Sequence, residues 1–171
     1  MNINIISSLI EEAYDYAELS GEFTSNRHDF HNGGINNKKI KMYEGKLGEE
    51  IFKQYLIDNN MEFIEDASSF READDYDFLI NDKKIDVKTR TKNFHTRTLE
   101  IVEQVSKRPK DVYVSVKLNE DKKSGSILGW FFKEDMLEIN RIEKNGYLDN
   151  YVLFDHELRP INTLLAAISK I

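Results

Sequence analysis

Cysteine is absent from the 171-residue chain, and proline occurs only twice. Without a thiol there is no disulfide framework, no thiolate zinc site, no iron–sulfur cluster and no cysteine nucleophile. Any metal must therefore be held by oxygen or imidazole. No apolar run approaches the roughly 20 residues needed to cross a bilayer, and the N-terminus carries acidic residues where a secretory signal carries basic ones. A cytoplasmic protein without membrane association is the expectation.

Basic charge is also in deficit: 24 Lys and Arg stand against 31 Asp and Glu, a formal net charge of -7. Taken alone, that balance disfavours a polyanionic partner. The deficit is uneven, however. From Lys83 to Lys110 the chain carries nine basic residues against three acidic ones (Asp86, Glu100 and Glu103), a local surplus of six. What is present otherwise is ordinary globular material, with 40% hydrophobic and 11% aromatic residues, enough for one compact domain with its own core.

Periodicity divides the chain. Ile6, Leu9, Ile10, Ala13, Tyr14 and Ala17 recur at helical intervals, which predicts an amphipathic helix over Ile3 to Leu19. Ser20 to Lys41 is rich in Gly, Asn and Ser and reads as a long loop. Leu47, Ile51, Phe52, Tyr55 and Leu56 form the stripe of a second helix from about Glu44 to Asp58, with Glu49 at the edge of the stripe and Glu50 pointing to solvent. The expected division is an N-terminal helix and loop over 1–43 and the main domain over 44–171, one compact unit overall.

Further along, Phe63-Ile64 reads as a short edge strand. Tyr76 to Ile80 and Lys84 to Thr91 read as two strands joined by Asn81-Asp82. Leu99 to Ser106 is expected to be a short helix, Asp111 to Leu118 a buried central strand and Ile127 to Phe132 another. A helix over Lys133 to Asn140, a strand over Tyr151 to Phe154 and a helix over Asn162 to Lys170 complete the pattern. Trp130, with Phe131 and Phe132, reads as core packing.

The hairpin is where chemistry concentrates. With Asn81 and Asp82 as the loop, cross-strand partners sum to 163, so Phe78 opposes Ile85 and Asp77 opposes Asp86. Two carboxylates whose α-carbons lie about 5 Å apart on one sheet face repel each other unless a positive group sits between them. Lys88 lies two residues past Asp86 and therefore shares its face, while Ile85 and Val87 turn to the core. Hard oxygen ligands with open positions suit Mg²⁺ or Mn²⁺.

Tyr-Asp-Phe-Leu-Ile, a turn, and Ile-Asp-Val-Lys-Thr at 85–89, preceded by a helix bearing Gly48-Glu49, resemble the active-site hairpin of the PD-(D/E)XK nucleases, the restriction-endonuclease-like superfamily. The resemblance spans about residues 44 to 132. It implies an α/β fold whose mixed β-sheet is flanked by helices, here with an extra N-terminal helix, and Mg²⁺-dependent hydrolysis of DNA or, less often, RNA. It further implies that Asp77, Asp86 and Glu49 serve the metal and that Lys88 assists the attacking water. An endonuclease is favoured, since no Gln-x-x-x-Tyr motif follows Lys88. Tyr76 stands where the name-giving pattern has proline, and Asp86 where glutamate is commoner.

Alternatives remain beside this reading. Glu49 is equally placed to pair with Lys53 at i+4, leaving Glu44 or Glu50 as the helix carboxylate. Asp75 shares the strand face of Asp77 if that strand starts early. Arg90, Lys92, Arg97, Lys107, Arg108 and Lys110 are the candidates for phosphate contacts, with Arg27, Lys38, Lys39 and Lys41 as further basic positions. His28 and His31 flank Asp29 but lack a third ligand. Double-strand cleavage by one-site enzymes needs two copies, so a homodimer is expected, with the N-terminal helix as an interface. The competing function is a non-catalytic nucleic-acid- or partner-binding module on the same fold.

Overall fold

A computed structural model describes residues 2–20, 35–66 and 75–169. The chain is mixed α/β: a curled, mixed six-stranded sheet carries helices on one face and a second, three-stranded sheet with two short helices on the other.

The large sheet contains β1 (Asn2–Asn4), β2 (Ile64–Glu65), β3 (Phe78–Ile80), β4 (Lys83–Arg90), β6 (Val112–Leu118) and β7 (Ser124–Phe132), in the order β1-β7-β6-β4-β3-β2. Its β4–β6 pairing is parallel and the other pairings are antiparallel. A parallel neighbour cannot be reached by a tight turn. The crossover from β4 to β6 carries β5 (Arg97–Ile101) and α3 (Val102–Lys107). β5 then joins β8 (Ile142–Asn145) and β9 (Leu148–Phe154) in the small sheet, ordered β5-β9-β8.

Helix α2 (Ile35–Asp58) covers one face of the large sheet. Its Leu47, Ile51, Phe52 and Leu56 are fully buried with Phe78, Ile85, Val112, Val114 and Val116. The period of a strand turns the intervening residues the other way, so Tyr113 and Phe131 stack on the opposite face with Val105, Met136 and Leu153. Gly48 is required where α2 meets β4, because a Cβ there would lie 1.8 Å from Thr89 Oγ1. Met136 comes from α4 (Lys133–Ile139), and α5 (Leu164–Ile168) closes the α2 side.

Several expectations change. The first helix is α1 (Ser7–Ser20), and the residues before it form β1, which pairs with β7 and ties the N-terminus into the large sheet. The second helix starts at Ile35 instead of near Glu44, so the 43/44 boundary falls inside it. Its first turns gain support from α1 through the Lys39–Glu18 ion pair at 2.7 Å and the edge contact of Tyr14 with Tyr43. Leu99 to Ser106 is strand and then helix, because Thr98 and Glu100 are buried at a two-residue period. The central strands and the short helix after them lie within a residue or a few of their expected places.

Candidate functional site

The β3–β4 register is the one derived from the turn: Phe78 opposes Ile85 and Ile80 opposes Lys83. Asn81 and Asp82 both adopt positive φ, 48° and 61°, the geometry of a type I′ hairpin turn whose twist matches the strands it joins. One residue beyond the last paired position, the chain begins to leave the sheet. The Asp77 N–H donates to the Ile85 carbonyl at 2.9 Å, and Asp77 Oδ2 accepts the Val87 N–H at 2.6 Å. The side chain thus takes a hydrogen bond that a continuing strand would give to its backbone, which locks the Asp77 carboxylate against β4.

Burial first, and then the negative charges of Glu49 and Asp86, push the Asp77 carboxyl well above the ordinary carboxylate range. The charges of Glu49, from a helix, and Asp86, from the neighbouring strand, therefore both act on Asp77 at its strand end. Asp86 Oδ2 is buried and receives no well-directed hydrogen bond, although an ammonium stands beside it.

That ammonium belongs to Lys88. Its Nζ lies 2.8 Å from Asp86 Oδ2 and 2.5 Å from Glu100 Oε2, and 5.8 Å from the centroid of the Tyr113 ring. Burial alone would lower the Lys88 pKa, but Asp86 and Glu100 hold it above its ordinary value. Glu100, which the sequence reading did not single out, is 6% exposed. Burial raises its carboxyl against the lowering effect of Lys88. Tyr113, paired beside Asp86 in the β4–β6 ladder, is fully buried, and its hydroxyl has no well-directed hydrogen-bond partner among the described residues. The overlooked signal was the alternation Thr98, Glu100 against Leu99, Ile101, which is strand-like with its polar side turned inward.

Glu49 reaches the site from α2, and its neighbours differ from expectation. Lys46, one turn earlier, donates to Glu49 Oε2 at 2.8 Å and to Glu65 Oε1 at 3.2 Å. Burial alone would lower the Lys46 pKa, but Glu49, Glu65 and Glu50 hold it above its ordinary value. Lys53 pairs with Glu65 at 2.7 Å. Glu50, expected in solvent, is 1% exposed, because α2 also has a buried side away from the sheet: the charge of Glu12 on α1 acts on it there. Burial, only partly opposed by Lys53 and Lys46, pushes the Glu50 carboxyl up to about 7, and its Oε2 lacks a hydrogen-bond partner among the described residues. Glu44 is drawn away to Lys122 at 2.9 Å.

The other candidates separate by what they touch. Asp75 pairs with Lys84, and its backbone carbonyl accepts from the buried Lys110. Arg90 makes a two-pronged bond to Asp155 at 2.8 and 2.6 Å, Arg97 pairs with Glu143, and Lys107 with Glu103. Lys92 and Arg108 are exposed and enter no ion pair among the described residues. Arg27, His28 and His31 lie outside the described residues. Trp130 is core: its indole N–H donates to Pro160 O and Thr163 Oγ1, each at 3.0 Å.

Among the described residues, no three imidazole or carboxylate side chains gather closely enough to cage a cation by themselves. Mg²⁺ does not need such a cage, since it is commonly bound through one or two carboxylates, waters and substrate phosphate. The donor set fits that mode: Asp77 and Asp86 are all-oxygen ligands from adjacent chain segments, one of them raised by burial and then by the charges of Glu49 and Asp86, the other with a buried oxygen that receives no well-directed hydrogen bond among the described residues. Among the described residues no helix is long and apolar enough to cross a membrane. No protein-family model matches the chain, and no curated protein matches it.

Proposed function

We propose that the chain is a metal-dependent nuclease of the restriction-endonuclease-like type, an endonuclease acting on DNA, with Asp77 and Asp86 holding Mg²⁺ or Mn²⁺. The observation that carries this reading is the convergence of Asp77, Asp86 and Lys88 at one end of the β3–β4 hairpin, with the Glu49 charge acting on the same point. Asp77 and Asp86 would hold the cation, which when bound would supply a water of lowered pKa and an offset to the charge on a scissile phosphate.

The chain's own groups supply the rest. Lys88 is held as an ammonium, so it acts as a fixed positive charge and hydrogen-bond donor toward a phosphate oxygen or the attacking water, and not as a proton acceptor. Glu49, whose charge acts on Asp77, is assigned the role of completing or orienting the cation site. Lys46 restrains that carboxylate at 2.8 Å. Of the candidate phosphate contacts, Lys92 and Arg108 are exposed and outside the ion pairs of the described residues, and the ion-paired Arg97 and Lys107 are exposed enough to exchange a carboxylate for a phosphate.

Supercoiled, linear and branched DNA, with RNA alongside, incubated with Mg²⁺, Mn²⁺ or EDTA, provide the test. Metal-dependent cutting that disappears in Asp86→Ala and in Lys88→Ala is the expected result. DNA binding that persists in both variants, without cutting by the wild type, replaces the nuclease by a binding module on the same fold. Sedimentation with and without duplex DNA examines the homodimer expected of a double-strand cutter.

A further inference from the structure

Lys88 is gripped from two directions. Asp86 lies two residues before it on β4, while Glu100 approaches from β5, an element of the other sheet. If Asp86 is committed to a cation, its hold on the Lys88 ammonium weakens, and a flexible four-carbon side chain beside a divalent ion is pushed away by like charge. Glu100 is then the anion that keeps the ammonium in place.

The surroundings of Glu100 suit a fixed anchor. It is 6% exposed and sits in a ladder, opposite Tyr151 on β9. Two residues away on the same strand, Thr98 Oγ1 donates to Ser115 Oγ at 2.8 Å in a buried bond that ties β5 to β6. β6 also carries Tyr113, whose ring lies 5.8 Å from the ammonium. Carboxylate, ring and strand are thus fixed relative to one another before any substrate arrives, and a buried carboxylate is costly to keep unless it has such a partner.

We infer that Glu100 is the positioning residue for Lys88, anchoring its ammonium from the small sheet so that the charge stays aimed at the scissile phosphate while Asp86 serves the metal. The inference rests on the nuclease reading above. It makes the small sheet part of the active site through a residue that touches neither metal nor phosphate.

The test uses Glu100→Gln, which keeps the shape, Glu100→Asp, which keeps the charge, and Asp86→Asn. A ¹H–¹⁵N spectrum of the lysine ammonium groups, with the Lys88 signal identified by its loss in Lys88→Arg, is expected to retain that signal in Asp86→Asn and lose it in Glu100→Gln. Turnover by Glu100→Gln is expected to fall about 10- to 100-fold, with KM for DNA and affinity for Mn²⁺ alone within about twofold of wild type, and Glu100→Asp to recover part of the loss. Wild-type turnover by Glu100→Gln, or a Lys88 signal unchanged in it, overturns the inference and leaves the nuclease reading standing. A wild-type protein that cuts nothing yet shows the expected signals overturns the nuclease reading and the catalytic role of Glu100 with it, while the anchoring contact stands.

Discussion

Strand β4 separates two unlike surroundings. On the side facing α2, Ile85 is fully buried among aliphatic and aromatic side chains, and Gly48 lets the helix backbone approach Thr89 closely. On the side facing the small sheet, Asp86 and Lys88 meet Glu100 and the orphaned Tyr113 hydroxyl, a layer of charge with unsatisfied groups. The dry side supplies the packing that fixes the strand, and the charged side uses that rigidity to hold groups that would otherwise repel or wander. Stability and chemistry are thereby divided between alternate residues of one strand, and substitutions on its two faces are expected to fail in different ways.

The sharpest test of that division is Lys88→Ala. It is expected to lower the turnover of folded protein about 10²- to 10³-fold, beyond the stability lost when the buried Glu100 and Asp86 are left without their partner, since no core volume is removed. Parallel loss of fold and activity in calorimetry and cleavage assays breaks the comparison. From the other face, Ile85→Ala is expected to cost about 2–5 kcal/mol in denaturant unfolding, the range for truncating a fully buried aliphatic side chain. Its folded fraction should still cut.

Gly48→Ala sits between the two extremes. The added methyl meets the stiff Thr89 side chain, so about 1–3 kcal/mol of destabilisation is expected, together with lower turnover, since Glu49 is the next residue on the displaced helix. A double substitution with Thr89→Ser or Thr89→Ala that restores stability and rate together locates the fault at that contact. Equal stability of the single variant and the wild type rules the packing account out.

The smallest effect belongs to the small sheet. Arg141 binds Glu157 through two nitrogens, at 2.7 and 2.8 Å, and this bond, with a lesser backbone contribution, holds the Glu157 carboxyl down to about 2. A carboxylate with a depressed folded-state pKa adds stability above its ordinary pKa near 4.5 and loses it as pH falls through the folded value. Arg141→Ala is therefore expected to flatten the loss of stability between pH 4.5 and 2, because the contribution that the wild type loses there is already missing. At pH 7 the two proteins are expected to differ little in stability, because the pair is solvent-screened. Identical acid titrations of the two proteins remove this expectation.

The legible part of the molecule was what local pattern controls. A two-residue turn whose residues tolerate positive φ set the register from Phe78–Ile85 to Ile80–Lys83, while Asp77, expected opposite Asp86 within the ladder, lies one residue beyond it and binds β4 through its side chain. Leu47, Ile51 and Phe52 announced the sheet-facing side of α2. What escaped depends on contacts distant in sequence. Glu50 reads as solvated from one helix alone, and its burial becomes visible only once α1 lies against α2. Glu100 reads as an ordinary acid until β5 leaves the crossover to pair with β9, some fifty residues on. The basic segment was legible as charge but not as disposition, because Asp155 and Glu143, the partners of Arg90 and Arg97, come from the far end of the chain.

The span of these pairings has a consequence for the order in which the protein assembles. The β3–β4 hairpin closes over two residues, so its closure belongs to the fast, microsecond class of folding events, although packing against α2 is needed to hold it. The pairings that bring β5 to β9 and β1 to β7 join residues 57 and 124 positions apart at their widest, as in Arg97 with Phe154 and Asn2 with Ser126, and closure of such loops is the slow part of folding. The carboxylate end of the hairpin therefore forms early and the Glu100 wall arrives late. A nascent chain carries the acids of its site well before it holds the lysine in position.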